Sequence, residues 1–128
     1  MLRKGEFTAE PLWFNRNLKL KFSSAVLADG AIYGLDENIL TCLDAETGRR
    51  RWKDGRYGYG QLILVDGYLI IQCEDGDLAL VEANPEAHRE LSRVEALNSK
   101  TWNHPAVADG KLLLRNDRRM MCFELSKD

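Results

Sequence analysis

Three Asp-Gly pairs, each between two short runs rich in Val, Ile and Leu, constrain the fold of this chain more than any other feature of its sequence. The pairs begin at Asp29, Asp66 and Asp109, so they are 37 and 43 residues apart. Asp-Gly between apolar runs is a strong signal for a tight hairpin, because Gly takes positive φ without strain and Asp tolerates it. The sequence therefore predicts three β-hairpins in a repeated unit.

Each predicted hairpin is followed by a polar turn and a third apolar strand. These third strands are predicted over 39–44, 78–82 and 120–125. A repeat of about 40 residues built from short strands is typical of a β-propeller blade, which contains four antiparallel strands. The predicted fold class is therefore all-β, made of propeller blades of four antiparallel strands.

The first unit also contains a complete fourth-strand pattern, Asp44-x-x-Thr47-Gly48-x-x-x-Trp52. It resembles the tryptophan-docking motif of pyrroloquinoline-quinone-type propeller repeats, found in quinoprotein dehydrogenases and in a bacterial outer-membrane assembly lipoprotein. The resemblance implies that Trp52 packs between adjacent blades and that the Thr-Gly turn joins the third and fourth strands. Proteins of this family are often periplasmic.

The second unit departs from this motif. A longer turn containing Pro85 replaces Thr-Gly, and the next tryptophan is Trp102. A single helical turn within 84–90 is one alternative for the structure of this connection. We expect Leu91 and Val94 to replace tryptophan in the packing against the next blade.

Counting strands predicts an incomplete ring within a single domain, 1–128. Residues 1–22 resemble a fourth strand without its blade, with Trp13 near the docking position, and no fourth strand follows Leu125. The predicted units are blade 1 over 23–53, blade 2 over 60–97 and blade 3 over 103–128 without its fourth strand. Twelve strands amount to three blades, whereas propellers close with about four to eight.

Three blades leave alternatives open. The chain is either part of a longer propeller or one half of a six-bladed homodimer, in which each N-terminal strand completes the partner's third blade. We favour the homodimer. A truncated repeat with no independent function is a further alternative.

Composition argues against several classes of protein. The net charge is −2 with acids and bases interspersed, so no broad positive field favours nucleic acid. The longest apolar runs have four or five residues, far below the roughly 20 that span a bilayer. No secretory signal is recognisable, and the compartment stays open.

Catalytic chemistry is not indicated. Cys42, Cys73 and Cys122 are well separated, which disfavours zinc and disulfides, and Cys42 and Cys122 are expected in the core. His88 and His104 are far apart in the repeat and have no partners spaced for a metal site or a triad. The adjacent cysteines and the calcium ligands of the quinoprotein dehydrogenases have no counterpart here. We therefore predict no cofactor, no metal and no catalytic residues, and lean away from an enzyme.

The loops between one blade and the next are the predicted binding surface, since loops on a rigid scaffold carry function. The candidates share aromatic, amide or cationic side chains: Arg56, Tyr57, Tyr59, Lys100, Trp102, Asn103 and His104. Such groups suit sugars, peptides or anionic small molecules. The alternative is that these aromatic rings fill the opening of the central channel that a propeller encloses.

The sequence thus predicts a non-catalytic scaffold that binds a protein, a peptide or a small ligand at its loop face. A fragment of a quinoprotein-type dehydrogenase, or a divergent member of that class, is the alternative.

Overall fold

The computed structural model describes residues 2–5, 7–20, 23–97 and 99–126, and every regular element among them is a β-strand. The strands are β1 (Leu2–Lys4), β2 (Phe7–Ala9), β3 (Val26–Ala28), β4 (Ala31–Asp36), β5 (Ile39–Asp44), β6 (Arg50–Arg56), β7 (Gln61–Val65), β8 (Tyr68–Gln72), β9 (Asp77–Glu82), β10 (Glu90–Glu95), β11 (Ala106–Ala108), β12 (Lys111–Arg115) and β13 (Met120–Glu124). Parts of the predicted segments 1–22 and 103–128, and Asn98 of the predicted loop, lie outside the described residues.

Consecutive strands form three open antiparallel sheets. Sheet 1 has the order β3-β4-β5-β6, sheet 2 has β7-β8-β9-β10, and sheet 3 has β11-β12-β13. The strands β1 and β2 form a separate two-stranded hairpin. The predicted all-β class is confirmed, and the predicted third strands agree with β5, β9 and β13 to within one residue.

All three Asp-Gly pairs form the hairpin turns that the sequence predicts. Asp29, Asp66 and Asp109 have φ values of 47°, 50° and 50°, and the glycines that follow them also have positive φ. Positive φ at both central residues is what a type I′ turn requires, and its twist matches that of the flanking strands. The turn residues therefore set the register of each hairpin.

One further hydrogen bond recurs in each sheet. The N–H groups of Ala45, Ala83 and Leu125 donate to the carbonyl oxygens of Gly30, Gly67 and Gly110, at 2.9, 3.0 and 2.7 Å. Ala45, Ala83 and Leu125 are therefore equivalent positions, each directly after the third strand of its sheet.

Sheet 2 is covered on both faces. Leu69 and Ile71 of β8 are fully buried in the core shared with sheet 1, whereas Ile70 belongs to the core shared with sheet 3. Side chains of a strand alternate between faces, so a run of apolar residues is expected where both faces are covered. This accounts for the apolar run of β8, and each fully buried Leu or Ile contributes about 1.5–3 kcal/mol through burial.

The N-terminal region differs from the single fourth strand that we predicted over 1–22. It contains the β1–β2 hairpin, and residues 10–20, which we call the N-terminal segment, form no strand. This segment lies along sheet 1: the Lys19 N–H donates to Asp36 Oδ1 at 2.8 Å, and the Glu37 N–H donates to the Lys19 carbonyl at 3.0 Å. Gly34 leaves room for it, because a Cβ there would lie 3.0 Å or less from methyl groups of Leu18 and Leu20.

The connection between β9 and β10 also differs in detail. Residues 85–87 form a bend without a helical turn, and the Asn84 side chain accepts the Glu86 N–H at 2.8 Å. Leu91 and Val94, which we expected to pack against the next sheet, are 47% and 48% exposed. These two residues do not replace a docked tryptophan.

Candidate functional site

Two tryptophans make similar contacts at successive places in the chain. Trp13 Nε1 donates to the Ala45 carbonyl, and Trp52 Nε1 donates to the Asn84 carbonyl, both at 2.8 Å and both across 32 residues. Each indole thus joins one segment to the sheet that follows it. We predicted a packing role for both rings, and each ring lies against the sheet that follows it.

The Thr-Gly turn of sheet 1 holds the ring of Trp13. Asp44 Oδ1 accepts the Thr47 N–H at 3.0 Å, and the bond from Thr47, followed by that from Arg51, holds the pKa of Asp44 below its usual value. Gly48 has a φ of +74°, and a Cβ there would lie 2.5 Å from the Trp13 ring. Asp44, Thr47 and Gly48 therefore shape this contact by geometry rather than by reactivity.

Tyr57, a predicted binding residue, belongs instead to the core. It is 2% exposed; its hydroxyl donates to Glu90 Oε1 at 2.9 Å and lies 2.7 Å from His88 Nε2. Burial, and then Glu90, raise the pKa of Tyr57 above its usual value. The prediction that Tyr57 forms part of a ligand surface is therefore wrong, because its ring is buried in the core between sheets 1 and 2.

His88, which we expected at the surface, packs between two aromatic rings. Its imidazole lies 5.8 Å from the Trp52 ring and 6.1 Å from the Tyr57 ring, both edge-on. Arg93 completes the cluster, with its guanidinium 4.8 Å from the Tyr57 ring centroid. The polar side chains of this cluster therefore form hydrogen bonds with one another between sheets 1 and 2.

A second group of predicted residues meets around Glu74. Glu74 Oε2 accepts a hydrogen bond from Trp102 Nε1 at 2.6 Å, and Glu74 Oε1 accepts one from the Tyr59 N–H at 3.4 Å. Lys100 Nζ lies 4.6 Å from the Trp102 ring centroid. We call Tyr59, Glu74, Lys100 and Trp102 the loop surface. Our reading of the sequence missed Glu74, whose only signal was its place in a polar turn.

Trp102 is both exposed and held in place. Its side chain is 52% exposed although its N–H is bound by Glu74 and a cation lies over its ring. The neighbouring Thr101 is buried, and its N–H donates to the Glu74 carbonyl at 2.7 Å. The indole therefore offers a fixed apolar face to solvent.

The remaining predicted site residues make contacts elsewhere in the described structure. Arg56 is exposed at the end of β6, where its carbonyl accepts a hydrogen bond from Arg93 at 3.2 Å. His104 is exposed, with Nδ1 3.2 Å from Gln61 Oε1 at the start of β7. Asn103 is half-buried beside it in the chain.

Two of the three cysteines lie in the core, and the third does not. Cys42 and Cys73 are buried, and burial raises the pKa of both thiols, that of Cys73 to about 12. Cys122, expected in the core, is exposed, because no sheet covers its face of β13 in the described structure. The described residues contain no group of three or more His, Cys, Asp or Glu side chains arranged to hold a metal ion.

An apolar groove of about 590 Å³ lies between sheets 2 and 3. Its walls include Ile70, Leu80 and Leu91 from sheet 2, with Val107 and Leu125 from the chain of sheet 3. In the part of the chain that the structure describes, no helix is long and apolar enough to span a membrane.

The fold defines an all-β protein of successive antiparallel sheets, and comparison with known proteins adds to this only at the level of fold. No family model matches the chain, and no curated protein matches it. The crystal structure of the computationally designed Ika4 protein is similar, with a TM-score of 0.52 at 8% identity over 93% of this chain and 100% of that one. A chain from a S. cerevisiae assembly of dbp5 bound to nup159, gle1, IP6 and ADP has a TM-score of 0.46 at 18% identity, covering 81% of this chain and 30% of that one.

Proposed function

We propose that this chain is a non-catalytic scaffold of β-propeller blades that binds a protein or peptide at its loop surface. The observation that carries the proposal is Trp102, an aromatic ring that is 52% exposed yet fixed by Glu74 and Lys100. Tryptophans of this kind dominate many binding interfaces, since a large rigid surface becomes buried at little cost in side-chain entropy.

The blade arrangement is supported by repetition within the chain. Sheets 1 and 2 each contain four consecutive antiparallel strands, and sheet 3 contains three. Trp52 links the first two sheets through the Asn84 carbonyl, and Trp13 makes a similar contact with sheet 1 through the Ala45 carbonyl. A repeated sheet with a repeated contact is what stacked units of a propeller require.

Peptides fit the loop surface better than small metabolites do. The groups there lie on the outside of three neighbouring loops, and they combine an apolar ring with one carboxylate and one ammonium group. A surface of this composition suits an extended partner that packs a side chain on the ring and places polar groups around it.

The test is selection from a displayed peptide library. We expect wild-type protein to enrich a related set of peptides, and Trp102→Ala to lose them with at least tenfold weaker binding, since truncating a central aromatic typically costs 2 kcal/mol or more. Arg89→Ala is the control and should bind as wild type does: this side chain is 61% exposed and pairs with Glu82 at the other end of sheet 2.

Two results would count against the proposal. One is that no peptides are enriched, or that Trp102→Ala enriches the same set as wild type. The other is a spectral change together with dehydrogenase activity after incubation with pyrroloquinoline quinone and calcium, which would assign the chain to the enzyme class instead.

We also propose that the chain associates with a second copy through its open sheet edges, as a homodimer. The supporting observation is that β13 pairs only with β12 among the described residues, whereas the third strands of sheets 1 and 2 have neighbours on both sides. An open strand edge presents unpaired backbone groups and favours pairing with another chain.

A further inference from the structure

The N-terminal segment has the position of a fourth strand but belongs to no sheet. Trp52 lies in β6, the fourth strand of sheet 1, and docks on sheet 2. Trp13 docks on sheet 1 in the same way, yet residues 10–20 pair with no strand. Relative to sheet 1, this segment is therefore placed where the outer strand of a preceding sheet would lie.

The residues on either side of Trp13 are unusually exposed for their type. Leu12 is 78% exposed and Phe14 is 90% exposed. In an extended segment their side chains point away from the face that carries Trp13, because successive side chains alternate. The segment thus presents two apolar side chains on the face that it does not use against sheet 1.

Sheet 3 lacks a fourth strand among the described residues. Its outermost strand, β13, has one unpaired edge within the described structure. Met121 and Phe123 of that strand pack into the core shared with sheet 2, and Leu80, Leu91 and Leu125 line the open groove beside them. A strand added to β13 would place apolar side chains over this groove.

We infer that the N-terminal segment of a second copy pairs with β13 and fills the groove between sheets 2 and 3 with Leu12 and Phe14. In sheet 1, Cys42 is opposite Trp52 and Thr41 is opposite Lys53. Cys122 and Met121 hold the equivalent positions on β13, since the hairpins at Asp29 and Asp109 are 80 residues apart. The expected register therefore places Trp13 opposite Cys122 and Phe14 opposite Met121.

This register directs each side chain to the correct face. Phe14 lies beside Met121, on the side of sheet 3 that faces sheet 2, while Trp13 lies on the side of Cys122. On that second side, Leu113 and Met120 are 42% and 69% exposed, and Leu27 on sheet 1 is 64% exposed. Sheet 1 of the second copy, carried along with its Trp13, would cover this face.

A dimer would give both the N-terminal segment and the open edge of β13 a pairing partner. Each copy has one segment to donate and one edge to accept it, so a two-fold arrangement leaves neither unpaired. The packing of sheet 1 on sheet 2 then continues across the junction between copies. This inference rests on the proposed blade arrangement, but it does not depend on the loop surface.

The first experiment measures mass by sedimentation equilibrium. We expect a species of twice the 14.6 kDa of the single chain. Phe14→Asp should raise its dissociation constant roughly hundredfold, because a charge would enter an apolar groove, while Phe14→Leu should retain the dimer. Since Phe14 is 90% exposed in the single chain, neither variant should impair its folding.

The second experiment tests the register by disulfide trapping in a Cys122→Ser background. Phe14→Cys combined with Met121→Cys should give a disulfide-linked dimer under oxidation. Phe14→Cys combined with Met120→Cys is the matched control; it should not form the link, because that side chain points to the opposite face.

Three outcomes would overturn the inference: a folded monomer at all concentrations, a ladder of higher linked multimers, or equal trapping in both cysteine pairs. A folded monomer that still selects peptides through Trp102 would overturn this inference and leave the proposed function standing. Loss of peptide selection in an intact dimer would do the reverse.

Discussion

At the scale of the residue, Gly48 shows how one position serves two purposes. Its φ of +74° is a conformation that other residues adopt at a cost, and its missing side chain makes room for the Trp13 ring. Asn15 and Asn17 add hydrogen bonds from their side-chain amides to the Gly48 carbonyl, at 2.9 and 3.1 Å. The turn and the N-terminal segment are therefore specified together.

We predict that Gly48→Ala destabilises the protein by about 2–4 kcal/mol, from backbone strain and displacement of the indole together. Gly30→Ala is the control, because Gly30 has a similar φ of +78° with nothing within 4 Å of the added Cβ. That variant should lose only about 1 kcal/mol. Urea unfolding of both variants gives the comparison, and equal losses would contradict the role assigned to Trp13.

Residues also show where prediction from sequence succeeds. Asp29 and its counterparts were predictable because a hairpin turn depends on two adjacent residues. Tyr57 and Cys122 were not, because their burial depends on whether another sheet covers them, and this is settled by contacts distant in sequence. Glu74 was missed for the same reason: its partner Trp102 lies 28 residues away.

At the scale of the element, the joint between sheets 1 and 2 is held by Trp52. Its ring lies 6.2 Å from Tyr33 and 5.8 Å from His88, and its N–H reaches the Asn84 carbonyl. The corresponding joint between sheets 2 and 3 contains a groove, with Ser92 opposite Leu80 where sheet 1 has Trp52 opposite Cys42. The two joints therefore differ in how tightly they are filled.

We predict that Trp52→Phe costs about 1–2 kcal/mol of unfolding free energy, because the Asn84 carbonyl loses its donor and the smaller ring leaves space. Trp102→Phe, at an exposed ring, should change the unfolding free energy by no more than about 0.5 kcal/mol. Thermal unfolding of the two variants measures the difference. A larger loss of unfolding free energy in Trp102→Phe than in Trp52→Phe would contradict the stabilising role assigned to Trp52.

The elements of each sheet were largely predictable, since apolar runs and polar turns are local patterns. The β1–β2 hairpin and the unpaired state of residues 10–20 were not, because a strand requires a neighbour and the sequence does not reveal which edge is available. Trp13 and Trp52 lie against sheets 1 and 2, as expected of rings with a packing role. The resemblance to quinone-type propellers, and what it implies for function, stay predictions.

At the scale of the whole molecule, acid should loosen the attachment of the N-terminal segment. Burial alone would raise the pKa of Asp36, but hydrogen bonds from Lys53 at 2.6 Å and from the Lys19 N–H at 2.8 Å outweigh it, and the pKa lies below its usual value. A lowered pKa means that the ionised form favours the folded state. This contribution is complete above about pH 4, the usual pKa of an aspartate, and disappears as the pH falls through the lowered value.

We therefore predict that the unfolding free energy declines below about pH 4 and that Asp36→Asn declines less steeply over the same range. Glu46→Gln, at an exposed carboxylate, serves as the control and should follow wild type. Denaturant unfolding at a series of pH values gives both slopes. Parallel slopes for wild type and Asp36→Asn would show that another carboxyl group controls the acid response.

Each of the three sheets is built from one uninterrupted stretch of chain, and no described strand crosses from one sheet to another. A duplication or deletion of one stretch would therefore add or remove a whole sheet without rethreading the others. The groove would stay with sheets 2 and 3, whereas the outermost strand of the array would have one open edge whichever unit it came from. Changes in unit number would then act on assembly first, and only afterwards on the architecture of the units that remain.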